Sequence, residues 1–138
     1  MTLTYVLDAC AMLTLLSQER GYENVAALYK KANTGEITLV MNKINLLEVY
    51  YDLYRSYDKE HANAFITSIN QSPIAVQKEI SDDIFAEAGR LKASYKISLA
   101  DSFALAQAIV LRGSLVTCDH HEFDAIEGKE SIKFAWIR

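Results

Sequence analysis

Ile37-Thr38-Leu39-Val40-Met41 is a run of β-branched and apolar residues, and Asn42 follows it. Beyond Asn42, Ile44, Leu47, Tyr50, Tyr51 and Tyr54 recur at helical spacing. The first run reads as a buried strand, Asn42 as an N-cap, and the rest as a helix. The same unit repeats outward. Thr4-Tyr5-Val6-Leu7 ends at Asp8, and a helix begins near Ala11 and is interrupted at Gly21. A second helical stripe, Val25, Leu28 and Tyr29, stops at Asn33-Thr34-Gly35. After the central unit come a more polar helix over Lys59 to Ile69 and a third strand at Pro73 to Val76. Helices follow from Ser81 and from Ser98 to Leu111. Strands at Ser114-Leu115-Val116-Thr117 and Ile132 to Trp136 complete the pattern. Alternation of this kind predicts an α/β fold with right-handed βαβ crossovers, helices on both faces of a parallel sheet of four to five strands.

At 138 residues, with no repeat and no linker-like stretch, residues 1–138 are expected to form one domain. Apolar residues make up 51% and charged residues 23%, a balance that excludes a largely disordered chain. No stretch approaches the roughly 18 apolar residues of a membrane span. The start, Met1-Thr2-Leu3-Thr4-Tyr5, lacks the basic head and cleavage site of a signal peptide. Cys10 and Cys118, with no CxxC, suggest neither a disulfide framework nor a zinc knuckle, and read as small buried thiols. The expectation is a soluble, reduced, cytoplasmic protein without a membrane partner. A net charge of −4 argues against a general nucleic-acid-coating module, which carries a basic surplus.

The acids are placed more tellingly than they are numerous. Asp8 ends the first strand and Asp119 follows the fourth, at the strand ends where open α/β sheets bind ligands. Asp101 lies in the first turn of the long apolar helix, and Glu48 lies among Leu46, Leu47 and Val49. Each has an ordinary explanation. Asp8 and Asp119 can cap helices, and Ser98-Leu99-Ala100-Asp101 fits a capping box. If adjacent central strands bring them together, two carboxylates about 5 Å apart repel by roughly 3 kcal/mol at an effective dielectric near 20. A group of four then needs protons or a cation. All-oxygen ligands suit Mg²⁺ or Mn²⁺, and such a site accepts phosphate oxygens.

Four segments together resemble the PIN domain, and most closely the VapC-like toxin ribonucleases of toxin–antitoxin pairs. They are Val6-Leu7-Asp8-Ala9, Asn45-Leu46-Leu47-Glu48-Val49, Lys96-Ile97-Ser98-Leu99-Ala100-Asp101-Ser102, and Leu115-Val116-Thr117-Cys118-Asp119 with Phe123. The resemblance implies a three-layer α/β/α fold and a Mg²⁺/Mn²⁺-dependent endoribonuclease. Asp8, Glu48, Asp101 and Asp119 would be its metal-binding and catalytic acids, with Thr117 supporting the last acid or a phosphate. It also implies an RNA substrate, a cognate antitoxin, and a homodimer. Two departures stand out: Cys10 replaces a frequent hydroxyl residue, and His120-His121-Glu122 replaces a frequent basic one. A receiver-like phosphoryl-accepting module is the alternative, although this chain lacks its two adjacent acids after the first strand and the Lys that ends its last strand. A non-catalytic PIN-like scaffold is another, against which the intact acids argue.

Other features carry weaker expectations. His120 and His121 are read as a partly exposed pair rather than metal ligands. Tyr50, Tyr51, Tyr54 and Tyr57 are read as core or subunit packing ahead of base stacking. Lys30, Lys31, Lys43, Arg90, Lys92 and Lys96 are candidates for phosphate contacts. Met12, Leu15 and Leu16 are candidate walls of a groove for an inhibitor helix.

Overall fold

A computed structural model describes residues 2–138. Five strands form one sheet: β1 (Leu3–Leu7), β2 (Ile37–Asn42), β3 (Ala75–Gln77), β4 (Ser114–Thr117) and β5 (Lys133–Trp136). All four pairings are parallel, in the spatial order β3-β2-β1-β4-β5. The chain therefore adds strands outward on one side of β1, then crosses to add β4 and β5 on the other. The junction between β1 and β4 is a topological switch point, where loops diverge and leave a crevice.

Side chains alternate across the strands, so each face requires its own cover. Leu7, Leu39, Met41 and Val116 pack against α1 (Ala9–Leu16), α2 (Tyr22–Asn33), α3 (Lys43–Ser56) and α4 (Lys59–Asn70). Val6, Val40 and Leu115 face the other way, onto α5 (Asp82–Ser94), α6 (Leu99–Val110) and α7 (His120–Phe123). This is the three-layer α/β/α arrangement. Caps set the helix starts: Asn42 accepts from Asn45 N at 2.8 Å, and Ser98 Oγ from Asp101 N at 3.1 Å. Gly21, at φ +94°, turns the chain into α2 against the Ile137 carbonyl, where a Cβ would collide. No helix among the described residues is long and apolar enough to cross a membrane.

Three expectations are corrected here. Cys10 and Cys118 are not free thiols but a disulfide, with Cα atoms 6.2 Å apart. The cause is topological: β1 and β4 are neighbours, in register Leu7↔Val116, and each cysteine lies just beyond its strand. The tyrosine stripe is not core within this chain. Tyr51, Tyr54 and Tyr57 are exposed beside an exposed Leu47, because α3 packs through Asn45, Leu46 and Val49 instead. Finally, Met12 is fully buried, so only Leu15 and Leu16 of that trio reach the surface.

Candidate active site

Asp8 is wholly buried at the end of β1, and its two oxygens have different fates. Oδ1 accepts the Ala11 N–H at 2.8 Å and caps α1. Oδ2 is buried with no hydrogen-bond partner. Capping and ligand binding are thus compatible in one side chain. Burial pushes the Asp8 carboxyl up to about 7; Thr117 and Ala11 oppose the rise, while Asp101 and Asp119 add to it.

Across the switch point, β4 ends at Thr117, which is fully buried. Its hydroxyl accepts the Asp119 N–H at 3.0 Å, and Asp119 Oδ1 accepts from Glu122 N at 3.1 Å, starting the short α7. Glu122 is thereby turned back toward the acids. Carboxylate oxygens of Asp101, Asp119 and Glu122 lie within 4.8 Å of one another. Asp101 is also pushed up to about 7, first by burial and then by Asp119, Glu122 and Glu48, with Ser98 opposing. Glu48, half-buried on α3, is raised by burial, then by Asp119, Asp52 and Glu122.

The four anticipated acids therefore share one electrostatic field, although the tightest group is not the anticipated set. It replaces Asp8 and Glu48 with Glu122. A local signal for Glu122 exists: it stands three residues after Asp119, on the same side of a helical turn. Asn45 is a second residue that the sequence reading did not single out. Its Nδ2 donates to the Ala100 carbonyl at 3.1 Å, holding the start of α3 against the turn that carries Asp101. The donor set fits a hard divalent cation, since all contributors are carboxylates, one buried oxygen is orphaned, and three of the acids resist ionisation without a counter-charge.

Some candidates fall outside the site. Arg90 is held by Glu87 and Glu130, so it is not free for phosphate. His120 stacks on Trp136, with Nδ1 at 2.7 Å from Asp124 and Nε2 at 2.8 Å from the Arg138 carbonyl. Those partners raise its pKa and leave neither nitrogen free for a metal.

The family model of the PIN domain matches residues 5–129. The chain belongs to the PIN domain family. Family membership sets aside the receiver-like alternative. No curated protein sequence matches this PIN domain. Solved structures share its fold at low identity. VapBC2 from Rickettsia felis, bound to a DNA fragment from its promoter, is 19% identical with a TM-score of 0.75, covering 97% of this chain and 98% of that one. VapBC-1 from nontypeable Haemophilus influenzae is 20% identical with a TM-score of 0.73, covering 98% of each chain. VapC20 from Mycobacterium tuberculosis, a sarcin–ricin-loop-cleaving toxin, is 12% identical with a TM-score of 0.66, covering 95% and 98%.

Proposed function

We propose that this PIN domain is a divalent-metal-dependent endoribonuclease and the toxin of a toxin–antitoxin pair. The observation that carries the reading is the carboxylate group at the β1/β4 switch point: Asp101, Asp119 and Glu122 within 4.8 Å, beside the orphaned Asp8 Oδ2. Similarity to toxin–antitoxin complexes, and to a toxin that cleaves the sarcin–ricin loop, supports the biological setting.

Asp8, Asp101 and Asp119 would hold Mg²⁺ or Mn²⁺, with Glu122 completing or flanking the set. The bound cation supplies the charge that activates water and steadies the phosphodiester oxygens. Asp8 serves through Oδ2 while Oδ1 keeps the α1 cap, so the ligand is rigidly aimed. Thr117 fixes the Asp119 backbone, and Asn45 fixes the approach of α3 to α6. Glu48, at the half-buried rim, orients the attacking water. Hydrolysis leaves a 5′-phosphate on the downstream fragment.

The test is to sequence RNA 5′ ends after brief induction, wild type beside Asp101→Asn, and to repeat cleavage in vitro. Cuts should require Mg²⁺ or Mn²⁺, vanish in EDTA, and be weak with Ca²⁺, whose looser coordination misplaces the water. Full cleavage in EDTA would falsify the scheme. An inhibitor encoded in a neighbouring reading frame, bearing a DNA-binding segment, is the expected partner.

A further inference from the structure

The Cys10–Cys118 disulfide joins residues 108 positions apart, and both of its ends adjoin the acids. Cys10 lies in the first turn of α1, two residues after Asp8. Cys118 lies between Thr117 and Asp119. Both residues are only partly buried. Thr14 Oγ1 stands 3.5 Å from the Cys118 sulfur and lines its inner side.

The two tethered segments run into helices of unequal length. On the β1 side, Asp8 N donates to the Val116 carbonyl at 3.3 Å, and its side chain caps an eight-residue helix. On the β4 side, Asp119 leads into the four-residue α7, held by Thr117 Oγ1, by its own cap to Glu122, by the fully buried Phe123 and by His120 against Trp136. Two of the three closest carboxylates, Asp119 and Glu122, ride on this shorter segment. The disulfide is its covalent tie to α1.

We propose that Cys10–Cys118 is a redox-modification site through which a glutathione-class thiol controls how tightly the acidic site holds its cation. The inference rests on the metal-site reading above. In the oxidised protein the Asp119–Glu122 segment is fixed against the Asp8 turn, and the carboxylates are preorganised. In the reduced protein that segment keeps its hydrogen bonds and the packing of Phe123 but loses its covalent tie to α1, and the position of Asp119 must be ordered when the cation binds.

The chemistry is thiol–disulfide exchange. A glutathione thiolate attacks one protein sulfur, the S–S bond breaks, and the other cysteine leaves as a thiolate that takes up a proton. A second glutathione attacks the resulting mixed disulfide. The net change is one protein disulfide and two glutathiones to two protein thiols and one glutathione disulfide, a transfer of two electrons. Glutathione disulfide is the oxidant of the reverse reaction.

The experiment equilibrates the full chain in glutathione mixtures from fully oxidised to fully reduced. Alkylation and mass spectrometry count thiols, while Mn²⁺ affinity and melting temperature are measured on the same samples. Protein thiols should rise from none to two. Mn²⁺ affinity should fall about five-fold or more on reduction, and the melting temperature by about 10 °C, as expected when a long closed loop is opened. The double variant Cys10→Ser/Cys118→Ser, which has no thiol to titrate, should match reduced wild type in Mn²⁺ affinity and melting temperature in every mixture. If the double variant fails to fold, the wild-type series carries the test alone. Two alkylated thiols in every mixture, or none in any, overturn the proposal. Equal Mn²⁺ affinity in both redox forms overturns the control while leaving the metal site standing. No Mn²⁺ binding by either form overturns both.

Discussion

The Thr117 hydroxyl accepts the Asp119 backbone N–H at 3.0 Å, so the last residue of β4 sets where the first acid beyond it stands. Thr117 is fully buried and also faces the Asp8 carboxyl, whose charge it favours. One hydroxyl thereby holds Asp119 by a hydrogen bond and favours the charged form of Asp8.

Thr117→Val keeps the shape and removes that hydroxyl. The loss should cost about 1 kcal/mol of stability, by denaturant melts. It should also weaken Mn²⁺ binding several-fold, because Asp119 loses its anchor. Thr117→Ser should restore the metal affinity; a serine variant as weak as valine would show that the methyl packing, not the hydroxyl, mattered.

Asp101→Asn should abolish RNA cleavage without unfolding the protein. The Ser98 cap uses the Asp101 backbone N–H and survives the change. Since the carboxyl is pushed up to about 7 by burial and neighbouring acids, the amide relieves an unfavourable charge above that pH. Melts in EDTA at pH 8 should show equal or higher stability. A large loss would favour a purely structural role for Asp101.

The metal-free protein should be destabilised by its own site as pH rises. Asp8 and Asp101 have folded-state values near 7, above the unfolded value of 3.8. Their contribution is therefore fully present below about pH 4 and is lost as pH rises through 7. Each contributes on the order of a few kcal/mol of this slope. The difference in melting temperature between Asp8→Asn/Asp101→Asn and wild type should grow from pH 5 to pH 8 in EDTA. Saturating Mn²⁺ should shrink it by binding the ionised wild-type acids. A difference flat with pH would contradict the assignment.

An antitoxin should present a basic side chain to the same carboxylates. An Arg fork pairs two carboxylates at once and competes with the cation for their oxygens. Changing Asp8 and Asp119 to Asn should lower antitoxin affinity and flatten its salt dependence. Unchanged affinity and salt dependence would place the inhibitor elsewhere. Leu15 and Leu16, accessible at the end of α1, are where an apolar helix would rest.

The sequence by itself determined the elements and their starts. Asn42 and Ser98 cap the helices they precede, β4 spans Ser114–Thr117 as read, and Asp8 and Asp119 stand at strand ends. These features depend on periodicity and on groups within a turn of one another, which a local stretch encodes completely. Only the tertiary structure decided the strand order, and with it the meeting of residues far apart. The Cys10–Cys118 bond and the grouping of Asp101 with Asp119 and Glu122 both depend on it. The exposure of Tyr51, Tyr54 and Tyr57 was equally illegible, since an apolar stripe along α3 does not say which of its edges the sheet will cover. Those outcomes follow from covering both faces of one sheet at once, a condition on the whole chain that no single segment contains.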